Sequence, residues 1–127
     1  MDLMASGLPW VRMDSDTYAN PRVVDFVDEY GQRGLAAMAV WKFAIEYSGG
    51  HGTDGLISKA VLRQIHGTPV HARLLLEGGF FELADNGWRV TGYENHQPTR
   101  ATTEELRRVR SEAGRKGAEA RWHGGDS

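Results

Sequence analysis

The stretch from residue 54 to residue 91 constrains the fold of this chain most, because turn, cap and apolar signals follow one another there at short intervals. A turn signal at Asp54-Gly55 precedes a short apolar pair that can enter a sheet. Ser58 can then cap a helix that runs to about Ile65. A strand followed closely by a helix is therefore expected in the first half of this stretch.

The second half of the stretch predicts another helix and a hairpin. Thr68 can cap the helix, and Pro69 occupies the first helical position, where its missing N–H is no loss. Two glycines end this helix, and a strand at 80–83, a tight turn and a returning strand at 88–91 follow. The order strand, helix, short turn, helix, hairpin predicts a winged helix-turn-helix, in a mainly α fold with a small β-hairpin wing (α+β).

Two further helices are expected before this stretch. The first opens at Asn20-Pro21, by the rule that a cap is followed by proline. The second runs over 34–47 and ends at 48–50, with Trp41 and Phe43 as structural core residues. Its apolar stripe consists of Ala36, Ala39, Val40, Phe43, Ala44 and Tyr47. Because this helix is apolar nearly all round, it is predicted to be central and buried.

Three segments carry weaker expectations. Alternation over 10–14 favours an edge strand or an extended arm, and 92–98 reads as an irregular connector. On the helix after Thr68, Leu74 is expected to be partly exposed. The side chains expected to face the core there are Ala72, Leu75 and Leu76.

Length and charge divide the chain into a domain and a tail. With 127 residues, one domain is expected at 1–98, followed by a basic helical tail at 99–127. The first 97 residues hold 8 Lys/Arg against 12 Asp/Glu, whereas the remainder holds 7 against 5. Thr102 and Glu105 form a capping box that would begin the tail helix.

No motif predicts catalysis, and the chain is expected not to be an enzyme. It has no P-loop, no HExxH, no G-x-S-x-G and no paired-histidine ligand spacing, so no catalytic residue, metal site or cofactor is predicted. It contains no cysteine and no apolar run long enough to span a membrane. A cytoplasmic protein without a membrane partner is the expectation.

Basic and polar side chains on the helix pair suggest contacts with double-stranded DNA. On the first helix, Lys59 and Arg63 could touch phosphates, although a solvated helix face explains them equally well. The second helix offers few groups for reading base edges. The candidate DNA-binding residues are Lys59, Arg63, Thr68, His71, Arg73 and Arg89, with Arg107, Arg108, Arg110, Arg115 and Lys116 in the tail.

The ordered pattern resembles the N-terminal winged-helix domain of replication-initiation and replisome-organiser proteins from actinobacteria and their phages. The matching pieces extend from Trp10 to Trp122. They are WVRMD at 10–14, NP at 20–21, AVW at 39–41, DGLI at 54–57, GFFE at 79–82, GWRV at 87–90, Tyr93 with HQP at 96–98, and AGRKGAEARW at 113–122. This resemblance implies a DNA-binding winged helix that works in phage or plasmid replication or its regulation.

Two further partners are weighed beside DNA. The fold could instead serve as a protein-interaction module that binds a host or phage protein, which the acidic first 97 residues favour. A homodimer is also expected through the tail helix, where Leu106 and Val109, with Trp122, would form the apolar seam.

Overall fold

The computed structural model describes residues 7–97, 99, 101, 104–105 and 107–115 of the chain. These residues form a mainly helical fold with a small three-stranded antiparallel sheet. The α+β class expected from the sequence is confirmed at this level. Residue 98, the expected end of the domain, lies outside the described residues.

Helix α1 spans Pro21–Tyr30, as the cap-then-proline signal predicts. The Asn20 side chain accepts a hydrogen bond from the backbone N–H of Arg22 at 2.9 Å, which satisfies one unpaired donor of the first turn. Gly31 ends the helix with a φ of 61°, a left-handed conformation that glycine adopts without steric cost. The chain then enters helix α2, Gln32–His51.

Helix α2 is longer than the sequence predicts. Its expected end at 48–50 is wrong, because the helix continues to His51, and Gly52 caps it with a φ of 67°. The glycine at position 49 serves a close contact instead of a helix end. A β-carbon added to Gly49 would collide with Cγ1 of Val11, which lies across the helix there.

The buried face of α2 also differs from the predicted one. Ala36, Ala39 and Phe43 are exposed, and Phe43 retains 36% of its accessible surface, so its assignment to the core is wrong. Since α2 is apolar around most of its circumference, periodicity could not show which side α1 and α4 would cover. Trp41 is half-buried and packs edge-on against Phe80, with ring centroids 5.9 Å apart. The buried residues of α2 are Gly34, Ala37, Val40, Ala44, Ile45 and Ser48.

The remaining elements of the helix pair and hairpin follow in the predicted order. They are β1 Leu56–Ser58, α3 Lys59–Gln64, α4 Pro69–Glu77, β2 Phe81–Ala84 and β3 Gly87–Val90. Strand β3 is central and pairs antiparallel with β1 and β2, so that Trp88 lies opposite both Ile57 and Leu83. The hairpin turn places Asn86 at a φ of 60°, which asparagine tolerates better than most residues.

The buried side chains of helix α4 differ from the predicted set. Leu74, expected to be partly exposed, is only 5% accessible, whereas Leu76, expected in the core, is half-buried. The reason is that α4 packs against both α2 and β2, and these two neighbours cover more than one side of the helix. Ala72 and Leu75 face the core as predicted.

A short helix closes the described domain where the sequence suggests an irregular connector. Helix α5 spans Tyr93–His96, and Gly92 precedes it with a φ of 67°. Tyr93 joins the core at 3% accessibility. Burial raises the pKa of its hydroxyl to about 12, with the charge of Asp54 as a smaller cause. The core cluster also contains Phe26, Ile57, Leu62, Leu75, Phe81 and Val90.

Candidate nucleic-acid interface

Two cations lie on the exposed surface of helix α3. Lys59 and Arg63 are four residues apart, so they share one side of the helix, and both are exposed. Neither forms an ion pair with another described residue. The backbone N–H of Lys59 donates to the carbonyl of Asn86 at 3.1 Å, which places the start of α3 beside the hairpin turn.

Thr68 and His71 serve the cap of helix α4. The backbone N–H of His71 donates to Oγ1 of Thr68 at 3.3 Å, and Nδ1 of His71 accepts from the backbone N–H of Thr68 at 3.2 Å. This reciprocal pair is a capping box in which histidine takes the position usually held by glutamate. Because Nδ1 is occupied, only Nε2 of His71 remains for an outside partner. The sequence predicted the Thr68 cap, but it gave no sign of the return bond from His71.

Arg73 shares its surface of α4 with a carboxylate. Both Arg73 and Glu77 are exposed, and the hydroxyl of Tyr30 donates to Oε2 of Glu77 at 3.1 Å. That hydrogen bond raises the pKa of Tyr30, and burial and Glu29 add to it, while the charge of Arg73 acts in the opposite direction. A helix that exposes one guanidinium beside a carboxylate has little capacity to read base edges.

Arg89 on the hairpin is engaged within the domain. Its side chain is 39% accessible and its Nη1 donates to the backbone carbonyl of Asp54 at 3.4 Å. Its Nε also lies 4.0 Å from Oε1 of Glu82, which is the far limit of an ion pair. The structure therefore places the Arg89 side chain against the turn that precedes strand β1.

The tail residues fall into two groups. Arg107 is half-buried and donates to the carbonyl of Gly7, whereas Arg108 pairs with Glu105 and Glu112. Arg110 and Arg115 are exposed on the helical segment 107–115. Val109 is 49% accessible. The predicted residues Thr102, Leu106, Lys116 and Trp122 lie outside the described part of the chain.

The segment 7–13, which we call the N-terminal arm, overlaps residues 10–14, for which the sequence predicts an edge strand or an extended arm. It forms no strand in the described structure. Its Arg12 N–H donates to Oε1 of Gln97 at 2.8 Å, and the amide of Gln97 donates back to the Arg12 carbonyl. Leu8 N–H also donates to the carbonyl of Gly49 at 2.9 Å. The pair Gly49-Gly50 was the available signal, because adjacent glycines permit a close backbone approach.

A prediction concerns the adjacent glycines beneath the arm. Gly49→Ala should release the arm, because the new methyl group would overlap Val11, whereas nothing lies within 4 Å of a β-carbon at Gly50. Gly50→Ala should instead stabilise the protein by about 0.5–1 kcal/mol, the usual gain from replacing a helical glycine. Thermal unfolding and hydrogen exchange at Leu8 and Arg12 measure both effects. Equal stability and equal exchange in the two variants would contradict the assigned contact.

Residues 12 and 13 of the arm also line a cleft of about 410 Å³. Its lining includes the apolar residues Trp41, Ile45 and Phe80, together with Arg12 and Arg22. Arg22 is partly occupied, since it donates to the carbonyl of Gly79 at 2.9 Å and lies over the Phe80 ring. No residue of α3 or α4 lines this cleft, so it is separate from the cations described above.

Comparisons with protein-family models, with curated proteins and with solved structures found no match for this chain. Within the described ranges, no three metal-ligating side chains are grouped as a metal site would need. None of the helices described is both long and apolar enough to cross a membrane.

Proposed function

We propose that this chain is a double-stranded DNA-binding module of the winged helix-turn-helix kind, acting mainly through phosphate contacts. The observation that carries the proposal is the position of Lys59 and Arg63. Both are exposed, share one side of α3 and have no ion-pair partner among the described residues. They also precede α4, which would enter the major groove, and Lys59 lies beside the hairpin turn, which would act as the wing.

Phosphate contacts would dominate because α4 presents little else to DNA. Its exposed side chains beyond the cap are Val70, Arg73 and Glu77. One cation and one anion give weak discrimination between base pairs, whereas Lys and Arg on phosphates give affinity without sequence preference. The exposed Arg110 and Arg115 of the tail would add to this sequence-independent term.

The biological setting follows from the resemblance to actinobacterial and phage replication-initiation proteins. It supports a role in replication or its regulation, in the cytoplasm of a bacterial host cell. The resemblance rests on an ordered set of short pieces, of which AGRKGAEARW at 113–122 is the longest.

A protein-interaction module is the second candidate function, and two observations favour it. The first 97 residues carry a net charge of −4, from 8 basic and 12 acidic residues, which opposes approach to DNA. Several apolar side chains are also exposed, among them Tyr18 at 81% and Leu83 at 74%. In this case the partner would be a host or phage protein.

The deciding experiment is a binding titration on random-sequence duplex DNA at ~50 and ~200 mM salt. We expect the affinity to fall steeply with salt. The double variant Lys59→Gln/Arg63→Gln should bind more weakly and should reduce the slope of log affinity against log salt by about 2, since each phosphate contact contributes about 0.9.

The matched control is Arg33→Gln, which removes an exposed arginine from the first turn of α2. It should leave both the affinity and the slope near those of the parent protein. No binding at ~50 mM salt would refute DNA binding, and a protein-interaction module would then be the remaining candidate function. Equal losses in the control and the double variant would show that the contact surface is not α3.

A further inference from the structure

Helix α2 has an apolar face that no described helix or strand covers, although His66 lies edge-on to the Phe43 ring at its C-terminal end, with ring centroids 6.0 Å apart. Leu35, Ala39 and Phe43 follow one another at intervals of four residues, and Ala36 lies beside them. All four are exposed, Leu35 to 57% and Phe43 to 36%. We call this set the α2 stripe. A helix that is apolar on nearly every side normally has all its sides covered, so the stripe is expected to contact another molecule.

The arrangement of side chains along the stripe is symmetric about Ala39. A large residue lies four positions before it and another four positions after it, each about 6 Å away along the helix axis. Gln32 and Glu46 lie on the same side at the two ends, seven positions from Ala39 in each direction. The order of side chains is therefore polar, large, small, large and polar, and it is the same whether the helix is followed from its N-terminal or its C-terminal end.

Such a face fits a second copy of itself in the antiparallel direction. If a two-fold axis passes at Ala39, the two alanines meet and allow the helix backbones to approach closely. Leu35 of each copy then lies against Phe43 of the other, so that each large side chain fills the space beside the small centre. Leu35 pairs with Phe43 because both residues lie four positions from Ala39.

The charges of the stripe agree with the same arrangement. Glu46 would lie beside Gln32 of the second copy, at the N-terminal end of that helix, where a carboxylate is favoured by the exposed N–H groups. That end has no side-chain cap, because Gly31 occupies the cap position. Lys42 remains paired with Glu46 of its own chain and lies opposite Ala36. No two like charges meet across the axis.

We infer that the α2 stripe is the interface of a two-fold homodimer in which the α2 helices pack antiparallel about Ala39. This interface differs from the tail seam that the sequence suggests. It does not require DNA binding, since it rests on α2 alone. The occupant is another copy of this chain because the stripe complements itself in size, charge and helix direction.

The test is the oligomeric state of the full chain and of an Ala39→Arg variant. Light scattering of the parent protein should give a mass twice 14.1 kDa. Ala39→Arg should weaken the dimer by on the order of a hundredfold or more, because it places two like charges against each other at the axis. Leu83→Arg is the matched control, since Leu83 is 74% exposed on the hairpin and should not affect the mass.

A second measurement remains informative if the arginine variant fails to fold. The chain contains no cysteine, so Ala39→Cys introduces a lone thiol that can form a disulfide only with another chain. Under mild oxidation we expect this variant to form a covalent dimer rapidly, and Leu83→Cys to remain largely monomeric. A parent protein that is monomeric at every concentration would overturn the inference. So would an Ala39→Arg protein that stays dimeric, since the interface would then lie elsewhere, for example on the tail.

Discussion

Phe81→Ala is expected to reduce the free energy of unfolding by ~3–5 kcal/mol, the range found for removing a large aromatic side chain from a core. Phe81 is 2% accessible, begins β2 opposite Val90, and stacks on Trp88 with ring centroids 6.5 Å apart. A domain of this size has a total stability of only ~5–15 kcal/mol, so the variant should lie close to unfolding at room temperature. Urea denaturation followed by circular dichroism measures the loss.

Leu83→Ala is the control for this prediction. Leu83 lies two residues further along β2, so its side chain points to the same face of the sheet as that of Phe81. It is nevertheless 74% exposed. Its removal should cost within about 0.5 kcal/mol, as for most surface changes. If both variants lost the same stability, the sheet would not be covered in the way described.

Gly87→Val is expected to destabilise the domain by ~3 kcal/mol or more, at or above the upper end of the usual cost of overpacking. A β-carbon at Gly87 would overlap the carbonyl oxygen of Ile57 and would lie 2.9 Å from Cα of Ser58. These are backbone atoms of β1, so no side-chain rotation can relieve the overlap. Strand β1 would have to separate from β3.

The consequence of Gly87→Val should reach the candidate DNA surface. Helix α3 begins directly after β1, and the Lys59 N–H bonds to the hairpin turn at Asn86. Separation of β1 should therefore expose the amide of Lys59 to hydrogen exchange. Asn86→Gly provides the comparison within the same turn, because glycine accepts the φ of 60° found there, and its stability should change by less than about 1 kcal/mol. Native-like exchange at Lys59 in the valine variant would show that the strand pair tolerates the overlap.

Local signals in the sequence were sufficient for the order of the elements. Asn20-Pro21 and Thr68-Pro69 each begin a helix, and Ser58 accepts from the backbone N–H of Val61 at 3.2 Å as a cap does. These predictions succeed because a cap or a tight turn depends on residues within a few positions of each other. Element ends shift slightly, which is the usual behaviour of helix and strand termini.

The sequence identified the candidate cations by residue type, but it did not show which groups surround them in the fold. Lys59 and Arg63 are exposed, as a phosphate contact requires, whereas Arg89 and Arg107 donate to backbone carbonyls that are distant in the chain. A sequence lists the arginines without showing which carbonyls or carboxylates will lie near them. The capping role of His71 was missed because histidine is an unusual residue for that position.

By itself, the sequence determined where α1, α3 and α4 begin and the order of the elements from β1 to β3, since those signals act over a few residues. Only the tertiary structure decided which side of α2 is buried. Its two sides are almost equally apolar, so the choice depends on where α1 and α4 pack, and that leaves Phe43 outside and Ala37 inside. The tertiary structure also decided the path of the arm, because the contacts of Arg12 with Gln97 join residues 85 positions apart in the chain. Pairings at that separation carry no local signal, and they form only when the elements between them have already taken their places.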